Sequence, residues 1–494
     1  MSSSNYRNQL LRKFQMNGLN VRQDALNIFE SEFKHGQPPY ESIDDFITVL
    51  IDKMLTQMTC EDYIINSEMA QKAIEILRDS RQTQQPNQQN QNQIVIRNTI
   101  DLEQSLESNF KFHYQQLVKQ LKKLSVFESG QFRLMTIDEL NTYESNIEIK
   151  CIVFAMIRHD PSRIMQFLLE DPTGKIPFQL SSQIVWREWA TFQHGIYLIE
   201  GLYEGRKDSF QITSIGLPPL PIQSNSIDNV ANHVDDDDRM LILLADIHLD
   251  QPTTMEALKF LFNGYNSLQQ VPDIFILIGN FSSTPVDNFD FKDNMKKLVK
   301  LISTFKKLSQ HSKFIFVPGP NDPSSVSTDS LVKHQFTPDH FPTTTTRLKD
   351  FHLPSNPFYV RFDDRKLCIF SNRIVSKFAK NVINSHEQLH TTKLSKNDPT
   401  IMNDFLKSIG RLIITNAHIT AGLCRNYSNS LSLFSQAPDL LILADTESPY
   451  VECRPFEQSS SPHLTTSRSF SKNNFQFIVY YPKANQLEES QISI

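Results

Sequence analysis

The chain has no CxxC pair, no apolar run approaching the roughly 20 residues needed to span a bilayer, and no excess of positive charge. Each absence excludes a class of function. The five cysteines, Cys60, Cys151, Cys368, Cys424 and Cys453, are scattered, which argues against a zinc ribbon or a disulfide framework and fits a reducing compartment. The opening MSSSNYRNQLLRKF lacks the apolar stretch of about 7 to 15 residues of a secretory signal, so a soluble intracellular protein is expected. A formal net charge of −6 and a pI near 6.2 do not describe a protein that coats nucleic acid by bulk attraction. Any such contact must be local. The acidic run at 235–238 lacks the spaced ligands of a calcium loop and reads as a solvated connector.

What is present is a globular composition, 39% hydrophobic and 21% charged, over 494 residues, enough for two to four domains by the usual size of a single core. Residues 1–80 read as a small helical domain. Leu10, Leu11 and Phe14 share one face and Ile28, Phe29 and Phe33 another; Ser42 with Asp45 opens the series Phe46, Val49, Leu50, Leu55, and Ser67 could cap a helix carrying Ala70, Ala73, Ile74 and Leu77. Residues 81–130 read as a disordered Gln/Asn linker and a connecting helix, because RQTQQPNQQNQNQ has almost nothing to bury and LVKQLKKL follows. Residues 131–234 read as an OB-fold β-barrel: IEIKCIVFAMI, IMQFLLED, IPFQL, GIYLIEGLYEG and SFQITSIG are short strands with a PTGK turn at Pro172–Lys175. Phe167, Phe178 and Tyr203 have few basic neighbours, so core or partner-facing roles are expected for them.

Residues 235–494 carry six apolar runs that each stop on a residue able to bind a metal or near one: LILLAD at Asp246, FILIGN at Asn280, FIFVPGPND at Asp322, LCIFSN at Asn372, LIITNAH at His418 and LLILAD at Asp445. Runs of this kind read as strands buried on both faces, and residues just beyond their carboxyl ends converge on one place. The helix KDNMKKLVKLISTFKKL sets Met295, Leu298, Leu301, Ile302 and Phe305 against Lys296, Lys297, Lys300 and Lys307, a solvated face. His334, His340 and His352 lie in a Thr- and Pro-rich stretch without ligands at metal spacing and read as surface residues.

These runs resemble the sheet of the metallophosphoesterases, whose motifs run DxH, GDxxD, GNHD/E, a lone His, then GHxH. Enzymes of that class hold two cations about 3.5–4 Å apart to clamp a phosphoryl group. Asp246-Ile-His248 keeps the first motif, but GNFSS puts Asn280 where a carboxylate should bridge the metals, and Gly319-Pro320-Asn321-Asp322 replaces GNHD. His418 matches the lone His, and Ala444-Asp445-Thr446-Glu447 closes the series with no imidazole. An amide carries no charge to hold two cations together, and the proton donor to the leaving group is missing. A non-catalytic domain is therefore expected, with no catalytic, cofactor-binding or metal residues. Asp246, His248, Asn280, Asn321, Asp322, His418 and Asp445 are its vestigial site positions.

The segments LILLADIHLDQPTTMEALKFLFNGY, VPDIFILIGNFSS, FVPGPNDP, LIITNAHIT, LLILADTESPY and FSKNNFQFIVYYP together resemble the B subunits of replicative DNA polymerases, most closely the epsilon type. The resemblance implies a multidomain α+β protein: an N-terminal helical bundle like the lid of AAA+ ATPases, an OB barrel, and an inactive calcineurin-like metallophosphoesterase α/β sandwich. It further implies a nuclear replication subunit held to the zinc-binding C-terminal region of the catalytic subunit and to the other polymerase epsilon subunits. Through the GINS complex it would reach the replicative helicase, with indirect or weak DNA contact, no membrane contact and no cofactor. Two other readings stay open: an active phosphoesterase or nuclease recruiting Asp322, Asp445 and Glu447, and a single-strand binder acting through the OB region.

Overall fold

The computed structural model describes residues 20–35, 94–98, 109–122, 133–143, 148–160, 167–205, 209–219, 239–285, 287–323, 333–337, 348–385, 399–418, 437–457 and 461–493, with single positions between them at 64, 65, 67, 70, 71, 74, 127, 331, 340 and 341. The chain divides into two compact units, Met1–Asn92 with Leu102–Ser105, and Gln93–Asp101 with Leu106–Ile494.

In the first unit, β1 (Asn20–Val21) leads into α1 (Gln23–His35) and pairs in parallel with β2 (Ile64–Ile65). Ala25, Leu26 and Phe29 fall on the buried face of α1 at helical spacing, and Ala70 and Ile74 are buried too. Ile28, expected beside Phe29, is only half-buried. The strand pair is an addition to the all-helical expectation. The expected helices around Leu10 and around Phe46 lie outside the described residues.

The second unit opens with β3 (Val95–Asn98) and α2 (Asn109–Lys122). β3 corrects the linker expectation over 81–130: Val95–Asn98 is not linker but an edge strand. Its residues pair antiparallel with a later strand while Ile94 and Ile96 pack on the sandwich core, which offsets the entropy of ordering them. Residues 81–93 lie outside the described set. Next come β4 (Leu134–Met135), α3 (Ile137–Asn141), β5 (Glu148–His159), β6 (Phe167–Asp171), β7 (Gly174–Trp186), β8 (Ala190–Phe192), β9 (Ile196–Glu204) and β10 (Ser209–Gly216). The sheet order is β4-β5-β6-β7-β10-β9, and β9 returns to pair with β5, so the sheet closes on itself. Val153, Ala155, Ile157, Leu169, Ile176, Ile199, Phe210 and Ile212 fill it. The tight turn between β6 and β7 is held by Asp171, which accepts from the Thr173 and Gly174 N–H groups at 2.7 and 3.0 Å.

The rest of the unit is β11 (Leu241–Ala245), α4 (Pro252–Ser267), β12 (Ile274–Ile278), α5 (Asn288–Thr304), α6 (Lys306–His311), β13 (Lys313–Val317), β14 (Phe351–His352), β15 (Phe358–Phe362), β16 (Arg365–Ser371), α7 (Ile374–Lys380), β17 (Val382–Ser385), α8 (Pro399–Thr415), β18 (Leu440–Ala444), β19 (Glu452–Cys453), β20 (His463–Thr466), β21 (Gln476–Tyr481) and β22 (Gln486–Gln491). Two six-stranded sheets form, β14-β13-β12-β11-β21-β22 and β19-β20-β18-β16-β15-β3. Leu241, Leu243, Ile276 and Ile315 of the first meet Val360, Leu367, Ile369 and Ile442 of the second in one layer. Helices α4, α5 and α6 cover the outer face of the first sheet, and α7, α8 and the barrel that of the second. Strands buried on both faces explain the unbroken apolar runs.

One of the six runs is not a strand. LIIT of LIITNAH ends helix α8, whose Met402, Phe405, Leu406, Ile409, Leu412 and Ile413 are buried at a 3.6-residue spacing. Three consecutive apolar residues fit either period, and only the longer window tells them apart.

The barrel is fixed to the sandwich through α8. The Asn416 amide completes a strand-like pair with Ile196, Oδ1 accepting its N–H at 2.7 Å and Nδ2 donating to its carbonyl at 3.0 Å. Arg411 reaches Glu188 at 3.3 Å, Phe192 packs on Phe378 and Phe405, and β8 pairs with β17. Asn416→Ala leaves both buried backbone groups of Ile196 without partners there, so we expect a loss of about 2–4 kcal/mol, read from urea unfolding of the full chain.

Candidate functional site

Asp246 follows β11 with a φ of 60°, a left-handed conformation that aspartate tolerates better than most residues. Its backbone N–H donates to the Ile278 carbonyl at 3.0 Å, and its carbonyl accepts from the Ser471 hydroxyl at 2.7 Å. The side chain is saturated by protein donors. Oδ1 lies 3.0 Å from both Asn280 Nδ2 and His248 Nε2, Oδ2 accepts from the Ser469 hydroxyl at 2.5 Å, and Lys472 Nζ stands 3.9 Å away. Burial pushes this carboxyl up, but the bonds from His248 and Ser469, the His248 charge and the Asn280 bond outweigh it and hold it below its ordinary value.

Asn280 connects two loops. While its Nδ2 donates to Asp246, its Oδ1 accepts the Asn321 N–H at 2.8 Å, a pairing closed to an ionised carboxylate. Asp322 is a second clamp: Oδ1 accepts the Phe281 N–H and Oδ2 the Gly319 N–H, each at 2.8 Å. Burial pushes its carboxyl up to about 6; its two backbone donors pull the other way, the Asp246 charge adds to the rise and the Lys333 charge opposes it. The two motif glycines permit this closeness. A Cβ on Gly279 would lie 1.7 Å from Asp322 Oδ2, and one on Gly319 would lie 2.4 Å from the Gly279 carbonyl carbon.

Asp246, His248, Asn280, Asn321 and Asp322 are thus brought together. Asp445 does other work: Oδ2 accepts the Val375 N–H at 2.7 Å in the first turn of α7, and Oδ1 the Glu447 N–H at 3.2 Å. Burial raises its carboxyl to about 6 as well. His418 stands in the turn that ends α8, its N–H donating to the Ile413 carbonyl at 3.0 Å, and none of the hydrogen bonds to Asp246 comes from it. Its expected place at a strand end is therefore corrected to a helix end, because the run before it is helical. His340, expected at the surface, is buried against Phe291 and Phe336, where the chain folds back over α5.

Two residues escaped the sequence reading. Lys333 is only 1% exposed, its backbone paired in both directions with Asn356, and its charge favours ionised Asp322. Asn356, itself fully buried, donates to the Pro318 and Ser371 carbonyls and accepts the Ser371 N–H, tying the ends of β13 and β16 together. A lone lysine and a lone asparagine in a loop-like stretch carry no local signal of burial.

A pH dependence follows from Asp322 and Asp445. Their folded pKa values near 6 exceed the ordinary 3.8, so their contribution to stability is complete below about pH 4 and is lost as pH rises through 6. Asp246, held low, works in the opposite sense: its contribution is present above 3.8 and lost as pH falls through its folded value. We expect Asp322→Asn to flatten the fall in urea midpoint between pH 4 and pH 6.

The donor set does not fit a paired metal centre. The amide at 280 turns its NH₂ toward the carboxylate that a bridging metal would need, and among the described residues no group of three or more His, Cys, Asp or Glu could hold a metal ion.

Residues 241–453 match the family of B subunits of DNA polymerases alpha and epsilon, which defines the class. Residues 91–219 match the DNA polymerase epsilon subunit 2-like OB-fold domain. DNA polymerase epsilon subunit 2 of Bos taurus is 27% identical over 406 residues, 74% of this chain and 70% of that protein, and the Homo sapiens protein of the same name is 27% identical over 404 residues with the same coverage. The DNA polymerase epsilon B subunit of Schizosaccharomyces pombe is 33% identical over 145 residues, 28% of this chain and 24% of that one. The chain belongs to the family of DNA polymerase epsilon B subunits, accessory subunits of that enzyme.

Proposed function

We propose that this chain is a non-catalytic scaffold of nuclear DNA polymerase epsilon, built on a calcineurin-like phosphoesterase sandwich whose site is closed by its own hydrogen bonds. Asp246, His248, Asn280, Asn321, Asp322, His418 and Asp445 are the remnants of that site. The observation that carries this reading is the double role of Asn280, donor to Asp246 and acceptor from Asn321, which puts a neutral link where two cations would have to be bridged. In this reading the barrel and sandwich hold the zinc-binding C-terminal region of the catalytic subunit. The N-terminal domain, an AAA+ lid-like helical bundle, reaches the replicative helicase through the GINS complex.

The alternatives find less support. Of the carboxylates an unconventional nuclease would recruit, Asp322 accepts two backbone N–H groups, Asp445 caps α7 and Glu447 pairs with Arg373 at 3.1 Å. A single-strand binder would need free cations and open rings on the barrel. There Arg158 and Lys175 both contact Glu170, at 2.6 and 3.3 Å, and Phe167 stacks on Phe178 with centroids 6.2 Å apart.

Purification of the tagged full chain from its own cells tests the proposal. The polymerase epsilon catalytic chain is expected to co-purify through high salt, with GINS subunits captured at lower salt. Recovery without a polymerase chain would overturn it.

A further inference from the structure

Between Asp287 and Lys307 the chain carries six lysines and three aspartates, within a protein of formal net charge −6. Helix α5 buries Phe291, Asn294, Met295, Leu298, Val299 and Ile302, so its opposite face is set by sequence spacing. Phe289, Lys296 and Lys300 are exposed there and Lys292 is half-buried at its edge, the four following one another at intervals of three, four and four residues. At 1.5 Å of rise per residue, the lysines form a row with steps of about 6 Å along the helix. Phe289 is 80% exposed at the head of the row. Of the nearby charges, Asp293 pairs with Lys297 at 2.9 Å, Asp287 caps the helix by accepting the Asp290 N–H, and Lys307 donates to the Leu268 carbonyl at 3.1 Å, while the exposed Asp290 lies beside Phe289. Among the described residues Lys292, Lys296 and Lys300 make no ion pair.

A single exposed aromatic or a few surface lysines are ordinary. Their combination in one row matches how single strands are held, with cations tracking the backbone and a ring stacking on a base. The cations are all lysine, point charges that contact phosphates without the fixed geometry of an arginine fork, which suits binding without sequence preference. We propose that the outer face of α5 binds single-stranded nucleic acid without sequence preference, Lys292, Lys296 and Lys300 contacting phosphates and Phe289 stacking on a base. None of these four residues belongs to the vestigial site, so failure of this proposal would leave the scaffold proposal untouched.

Fluorescence anisotropy of a labelled oligothymidine with the full chain tests it. Three phosphate contacts give a slope of log affinity against log salt of about −2. The triple substitution Lys292→Glu, Lys296→Glu and Lys300→Glu is expected to abolish binding, and Phe289→Ala to weaken the single strand about tenfold while sparing a duplex of equal length. Unchanged binding by the triple variant would overturn the proposal. So would equal competition by an acidic peptide of the same charge, which would make the face a protein-docking surface.

Discussion

Asn280→Asp is expected to destabilise the full chain by about 2–4 kcal/mol at neutral pH when measured with a chelator present. The amide hydrogen bond from Asn280 to Asp246 Oδ1, 3.0 Å long, becomes a contact between two carboxylate oxygens. At that separation two unit charges repel by about 5 kcal/mol in a medium of effective dielectric 20, and protonation of one partner limits the cost. His248 and Lys472 supply partial relief, but both already face Asp246. The sign of the pH dependence is diagnostic. Repulsion raises one carboxyl of the pair above its unfolded value, so the deficit relative to the parent grows as pH rises from 5 to 7 and shrinks as it falls. A variant as stable as the parent at both pH values would mean that Asn280 is not the link between these loops.

Gly279→Ala is expected to be more severe, above about 4 kcal/mol or enough to keep the folded chain from accumulating. The new methyl would sit 1.7 Å from Asp322 Oδ2 and 2.8 Å from the Gly319 nitrogen. Neither neighbour can move freely, since Asp322 is pinned by the N–H groups of Gly319 and Phe281 and the Gly319 nitrogen is backbone. Gly264→Ala is the control. Nothing lies within 4 Å of a Cβ there, and its place in α4 predicts a neutral or slightly stabilising change by helix propensity, read from the same urea unfolding curves.

The strands that build the sandwich were legible because burial on both faces leaves unbroken apolar runs, as in Leu241–Ala245 and Leu440–Ala444. Asp246, His248, Asn280 and Asp322 were legible because they follow such runs directly. What was hidden depended on contacts distant in sequence. The run before His418 fits a strand until the residues back to Met402 are read with it, whereupon helical spacing prevails. β3 follows a long polar stretch, its apolar part Ile94–Ile96 is too short to announce a strand alone, and it becomes one because the edge of β15 offers it hydrogen bonds. Lys333 and Asn356 are buried by pairing with each other's backbone and by the strand ends that Asn356 ties, and no local pattern announces this. The motifs name the residues of the site; only the structure gives the donors around Asp246, among them Ser469 and Asn280.

In the proposed reading, protein donors stand where a metallophosphoesterase would hold its paired cations. Manganese titration of the intact chain by calorimetry, with hydrolysis of a phosphodiester followed in parallel, tests it most directly. No binding of two ions at the Asp246 site and no turnover above metal alone are expected. Two bound ions with turnover abolished by Asp246→Asn would contradict it.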